Sequence, residues 1–461
     1  MKLSRPIWYM VFLLAVISAC TKYNPHPLEQ KSLGEDLLPL DSETLKLKIS
    51  ALHHPLLPSL PFDLRDGLSP DEAALLAVVT NPELRVIRDE KGIASAQVLK
   101  AGLLPNPRLG LEYEVPTGGE TTGTVNAYTL HLDWEITALL SRSARVSSAR
   151  AKEKAVDLAL AWKEWQVAEA AKLHTLRLLW TERKIILLQK TEKELQKELD
   201  LIERAVSLGE KTAVDLAAAR ATYQKVKLDL ENMREKEVRE RLALNRIFGF
   251  PPNTYLKIQK DVRLLSWPPP IKREKLLSGL AERRLDLLAL KMSYQAQEES
   301  LRAAVLSQFP RITVGLIRAR DTDNVLTTGF GVSIELPFFH RGRARIALEK
   351  ATRQKIYDEY RARFLSARSD VFEILERLSF VRRKIAASRQ SITALERLLS
   401  TYKKALAQGN ADLLGYYRLR YRILTERLIL LDLRQTESDL GVALEIASGV
   451  YLPMEVISHA R

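Results

Sequence analysis

The chain is poor in the residues from which compact chemical sites are built. Its 461 residues include one cysteine, which excludes a disulfide framework and any cysteine-based zinc or iron–sulfur cage. With 19 glycines and 20 prolines, it is neither collagen-like nor of low complexity. None of the 7 histidines is paired at zincin spacing. His53 and His54 form the only histidine cluster, within a proline-punctuated stretch. There is no Walker loop, and Gly329, Phe330 and Gly331 read as a strand fragment rather than a dinucleotide loop. No cofactor, no metal site and no enzymatic activity are expected. A single long apolar run excludes a polytopic helical membrane protein. What is present is 46% hydrophobic and 28% charged residues with a net charge of +14, enough apolar material for a large packed structure.

The apolar run, residues 7–17, follows Lys2 and Arg5 and ends in Ile17, Ser18, Ala19 and Cys20. This is the order of a signal peptide over residues 1–19, and its end resembles a bacterial lipobox in which Cys20 would be lipidated. Thr21, in place of an aspartate, resembles lipoproteins sorted to the outer membrane. The mature chain would carry +12, and a secreted destination argues against nucleic acid as the partner of this charge.

Residues 20–68 carry no sustained period and read as an extended arm punctuated by prolines. Beyond them one pattern is written twice. Ser69, Pro70, Asp71 and Glu72 start a helical stretch that Asn81 and Pro82 kink or restart. The period then changes to two over residues 107–136, a hairpin with Leu109, Leu111, Tyr113, Leu130 and Leu132 on one face. Its other face carries Arg108, Glu112, Glu114, His131, Asp133 and Glu135. A long helix (139–208) ends at Gly209, and a shorter one (212–247) ends at Gly249. After a linker at 250–272, residues 273–449 repeat the order: helix, hairpin (310–336), long helix (341–408) and return helix (411–447), then a tail at 450–461. Gly209 and Gly409, Gly249 and Gly449, Glu135 and Glu335, and Arg145 and Arg345 each differ by 200 positions. The coincidence of helix stops and strand ends marks a duplicated unit.

At 1.5 Å per residue the long helices span about 100 Å, beyond any ordinary globular core, so they need lateral partners. The strands have the alternation and length of tilted membrane strands, yet four cannot close a barrel, and an open edge in lipid leaves backbone groups unsatisfied. Copies of the chain would have to share one barrel. Its polar face, including Arg311 and Glu335, would line water. Trp134, Phe338 and Phe339, followed by Arg142, Arg145, Arg341, Arg343 and Arg345, suit lipid headgroup level. The alternative is a soluble spacer, a coiled-coil periplasmic lipoprotein whose hairpins pack on its own helices.

The lipobox, the two repeats, and Asn81-Pro82-Glu83-Leu84 leading to Leu104-Pro105-Asn106-Pro107 resemble the TolC family of outer-membrane efflux proteins. The Leu-Pro-Asn-Pro stretch is similar to the cation-efflux branch. The resemblance implies a mainly α fold with a small transmembrane β part: a helical periplasmic tunnel and a twelve-stranded barrel shared by a homotrimer in the outer-membrane lipid of a Gram-negative-type bacterium. Residues 28–68, 248–272 and 449–461 would form its belt. It implies a periplasmic adaptor and an inner-membrane pump of the resistance–nodulation–division type as partners, with small toxic solutes or metal ions as cargo. The family's adaptor-docking tip is matched by Arg204, Leu208, Gly209, Thr212, Asp215 and Leu216. The second copy, with Gly409, Asp412 and Leu413, matches less well, Asn410 and Ala411 being expected to shorten the turn. No aspartate pair precedes Gly409, leaving Glu203 and Asp412 as candidates for the family's carboxylate gate. Type I protein secretion is the other role open to such a conduit.

Overall fold

The structure, a computed structural model, describes residues 23–25, 27–28, 42–58, 61–260, 262, 268–270, 272–339 and 341–452. The signal peptide, Cys20 and residues 453–461 lie outside these. The chain divides into two units, Met1–Leu40 and Asp41–Arg461. The second unit carries the helices and strands.

Its elements among the described residues are α1 (Ser42–Ser50), α2 (Pro70–Thr80), α3 (Pro82–Gly102), β1 (Arg108–Glu114), β2 (Ala127–Glu135), α4 (Ala138–Ser207) and α5 (Ala213–Phe248). They continue with α6 (Arg273–Leu277), α7 (Leu280–Arg283), α8 (Leu285–Leu306), β3 (Arg311–Arg320), β4 (Leu326–Glu335), α9 (Arg343–Ala407) and α10 (Leu413–Ser448). The arm read as extended thus contains a helix, α1. Its Leu45 and Ile49 are buried, and Ile49 joins a core with Leu57, Leu75 and Trp165, so tertiary burial supplies what the weak local period did not. The stretch before the second hairpin is three helices rather than one, broken at Gly279, which has φ 66°, and at Arg284.

Sequence chemistry accounts for the starts. Ser69 accepts from the Glu72 amide at 3.2 Å while the Glu72 carboxylate accepts from the Ser69 amide at 2.9 Å, a reciprocal cap on α2. Asn81 closes α2 and caps α3 by accepting from the Leu84 amide at 3.0 Å, so Pro82 restarts the helix with no broken hydrogen bond of its own.

Each long helix lies beside a two-piece helix: α4 packs on α3 and α5, α9 on α8 and α10, and α4 meets α8 and α10 to join the halves. The two hairpins form one antiparallel sheet in the order β1-β2-β3-β4, leaving β1 and β4 as open edges. In α9, no residue of 343–366 is buried, and the first buried position is Ala367. Leu348 and Leu365 are 65% and 66% exposed there. A helix with so little cover is not stable alone in water and needs a lateral partner.

Candidate functional site

The sheet sorts its side chains by chemistry. Strand alternation and the register place Arg108 opposite Asp133, Gly110 opposite His131 and Glu112 opposite Thr129 on one face. Glu114 and Glu135 belong to the same face, with Arg311 opposite Glu335 at 3.6 Å. All eight candidate lumen residues therefore share a side. The other side carries Leu109, Leu111, Leu132, Leu316, Phe330 and Val332, with Leu109 and Phe330 70% and 67% exposed. Glycines make room on the polar side: a Cβ at Gly110 would lie 2.1 Å from the His131 ring, and one at Gly315 2.2 Å from the Asp133 carboxylate. Sequence reasoning missed that His131 and Asp133 lie over glycines of the flanking strands, because register decides it.

Where strands meet helices, a cleft of about 540 Å³ is lined by Glu135, Arg145, Arg311, Glu335 and Arg345. Two of the repeat-related pairs converge in this one place. Arg145 and Arg345, expected at the lipid rim, stand instead with the carboxylates of the polar face, and Arg145 donates to the Ala138 carbonyl at 3.0 Å. Arg142 donates to the Gly102 carbonyl at 2.8 Å, and Trp134 to the Pro105 carbonyl at 2.8 Å, which ties the Leu-Pro-Asn-Pro segment to the base of the sheet.

At the far end the two helix turns are near copies. Gly209 and Gly409 have φ 77° and 78°, the left-handed conformation that lets the chain reverse. Glu210 donates to the Ala205 carbonyl at 2.8 Å and Asn410 to Ala405 at 2.9 Å. The second turn is not shortened: helices end at Ser207 and Ala407 and resume at Ala213 and Leu413, because the same capping hydrogen bonds fix both. Thr212 and Asp215 cap α5 reciprocally at 3.2 and 3.1 Å. Asp412 caps α10 through the Gly415 amide at 2.5 Å and accepts from the Tyr402 hydroxyl at 3.1 Å. Those two contacts, the amide first, hold the Asp412 carboxyl below its ordinary range. At the first turn, Arg204 lies in the last turn of α4 and Leu208 is its C-cap, 73% exposed. Of the gate candidates, Glu203 pairs with Arg220 at 2.8 Å and Asp412 is held in its cap. Sequence reasoning did not foresee the contact of Tyr402 with Asp412, nor that Arg420 binds Glu198 at 2.5 Å and Glu194 at 3.2 Å across helices α10 and α4.

A cluster of ionisable side chains was also unforeseen. Lys172 of α4 is wholly buried, 3.1 Å from Asp71 of α2, 3.0 Å from Glu445 of α10, and 4.4 Å from the Tyr451 ring centroid. It also donates to the Leu452 carbonyl at 3.2 Å. Burial works against its ammonium, but the carboxylates of Glu445 and Asp71 outweigh it and raise its pKa. The buried Glu169 carboxyl donates a hydrogen bond to the Glu445 carboxylate. Burial first, and then the charge of Glu445, holds that carboxyl protonated, far above the usual carboxylate range.

A family model described as "Outer membrane efflux protein" matches residues 276–449. The cobalt-zinc-cadmium resistance protein CzcC of Cupriavidus metallidurans is 22% identical over 343 residues, 73% of this chain and 79% of that one. The outer-membrane channel OprN superposes with a TM-score of 0.71 at 15% identity, covering 88% of this chain and 96% of that one. The outer membrane protein VceC of Vibrio cholerae gives 0.68 at 17% identity, with 83% and 97% covered.

Residues 276–449 thus carry the pattern of the outer-membrane efflux protein family. The four-stranded sheet on paired long helices is the fold of these channels. This is a family of transport channels rather than of enzymes.

Proposed function

We propose that three copies of this efflux-channel protein pool their sheets into one twelve-stranded barrel, continued by the helices into a periplasmic tunnel. The observation that carries this is the sheet itself: one apolar face, one polar face, and two unpaired edges that only β1 and β4 of neighbouring copies can satisfy in lipid. Twelve strands leave a lumen where eight would be filled by side chains. The inward positions of β3 and β4 are mostly small (Thr313, Gly315, Ala319, Thr327, Gly329, Gly331 and Ser333), which keeps the bore open for water.

Among the described residues no helix is long and apolar enough to cross a membrane. The chain conducts passively, and an inner-membrane pump, reached through a periplasmic adaptor at the Gly209 and Gly409 turns, supplies the driving force. Cys20 anchors the mature chain in the outer membrane. Likeness to CzcC, named for cobalt, zinc and cadmium resistance, favours divalent metal ions as cargo, with small toxic solutes beside them. Planar-bilayer recordings of the purified protein are expected to show a conducting pore, and deletion of its gene to sensitise cells to these cations. A silent bilayer would contradict the duct; unchanged tolerance together with loss of a secreted protein would move the role to type I secretion.

A further inference from the structure

The apolar face of the sheet is charged at one end only. From the helix junction outward, β3 presents Ile312, Val314 and Leu316 to this face and then Arg318 and Arg320. The register sets Arg318 between Leu130 and Thr328, and Arg320 between Tyr128 and Leu326. None of the four strands places a carboxylate on this face. The acid nearest in sequence is engaged elsewhere: the Asp321 carboxylate accepts from the turn amides of Asp323 and Val325 at 3.0 and 2.9 Å. Glu114 lies on the opposite face. Arg320 is oriented by a donation to the Asn126 carbonyl at 2.9 Å and by the Tyr128 ring 5.2 Å away, and its Nε has no acceptor.

An arginine on a lipid-facing strand costs about 2–4 kcal/mol at the bilayer midplane and about 0–1 kcal/mol near the interface. Two at the same end of one strand, beside tyrosines, therefore mark the outer rim of the hydrocarbon, and their stems let the guanidinium groups reach the headgroups. β3 is flanked by β2 and β4 of its own chain, so these cations are away from the seams between copies and their counter-charge has to come from the membrane. Guanidinium groups bind phosphate bidentately, and the apolar surface of Leu111 and Leu130 just below accommodates acyl chains. We propose that Arg318 and Arg320 clasp the phosphate groups of the outer-leaflet glycolipid, one clasp per subunit. Free phosphate would make no use of the apolar surface beneath.

The inference rests on the barrel reading, and the test separates the two. Native mass spectrometry of the full-length trimer with bisphosphorylated lipid A and with its dephosphorylated form is expected to show about tenfold tighter retention of the phosphorylated lipid. The double variant Arg318→Gln, Arg320→Gln is expected to lose that preference while remaining a conducting trimer. Equal retention of both lipids by the wild type, an undiminished preference in the variant, or displacement by millimolar inorganic phosphate as effective as by excess lipid A would overturn the clasp. A non-conducting monomer would overturn the barrel itself.

Discussion

At the scale of single residues the largest commitment is the buried cluster around Lys172. Three carboxyl groups, Asp71, Glu169 and Glu445, face one ammonium, so one of them must hold a proton, and Glu169 does. Its folded pKa lies well above the ordinary value of 4.5, so its contribution to stability is complete below that value and is lost as pH rises toward the folded pKa. Glu169→Gln supplies a neutral isostere, and its melting temperature should exceed that of the wild type by a margin that widens from pH 5 to pH 9. A margin independent of pH would contradict the protonated assignment. Lys172→Met leaves buried carboxylates without their cation and should cost about 3–5 kcal/mol in chemical denaturation. Little of this was legible in the sequence. Asp71 read as an acid at a helix start, and Glu169, Lys172 and Glu445 did not stand out from the other charged residues of their helices. Their only signal was a setting of small apolar neighbours such as Ala168 and Ala171, and it is the return of Tyr451 and Leu452 over α4 that encloses them.

At the scale of elements the sequence was far more informative, because each boundary is written in local chemistry. The caps at Ser69, Asn81 and Thr212 and the left-handed glycines at 209 and 409 stand at element ends. The change of period from 3.6 to two separates helix from strand. What local chemistry could not show was α1, which exists through its contacts with the core, and the direction taken by Arg145 and Arg345, which depends on how the two halves meet. The turns give a direct expectation. No atom lies within 4 Å of a Cβ built at Gly209 or Gly409, so alanine there meets no clash but is held in the left-handed region, at about 1–2 kcal/mol each. Gly209→Ala with Gly409→Ala should leave assembly and conductance intact while lowering efflux in cells, as adaptor docking at these turns requires. Full efflux would place docking elsewhere. In the sheet, Gly315→Val puts branched carbons where the Asp133 carboxylate lies and should abolish trimer formation during refolding into detergent.

At the scale of the whole molecule, one physical argument joins the parts. Strand edges cannot remain bare in hydrocarbon, and a helix uncovered along residues 343–366 cannot remain bare in water, so both shortfalls call for neighbouring copies of the same chain. The duplicated sequence revealed the elements and their two-faced strands. It could not reveal that both hairpins pair into one sheet, since strand order is a property of the fold rather than of either repeat. The mass of the detergent-solubilised mature protein, measured by light scattering with the detergent contribution subtracted, tests this most directly. Three chains per particle is the predicted result, and a single chain that stays soluble without detergent would contradict the shared barrel.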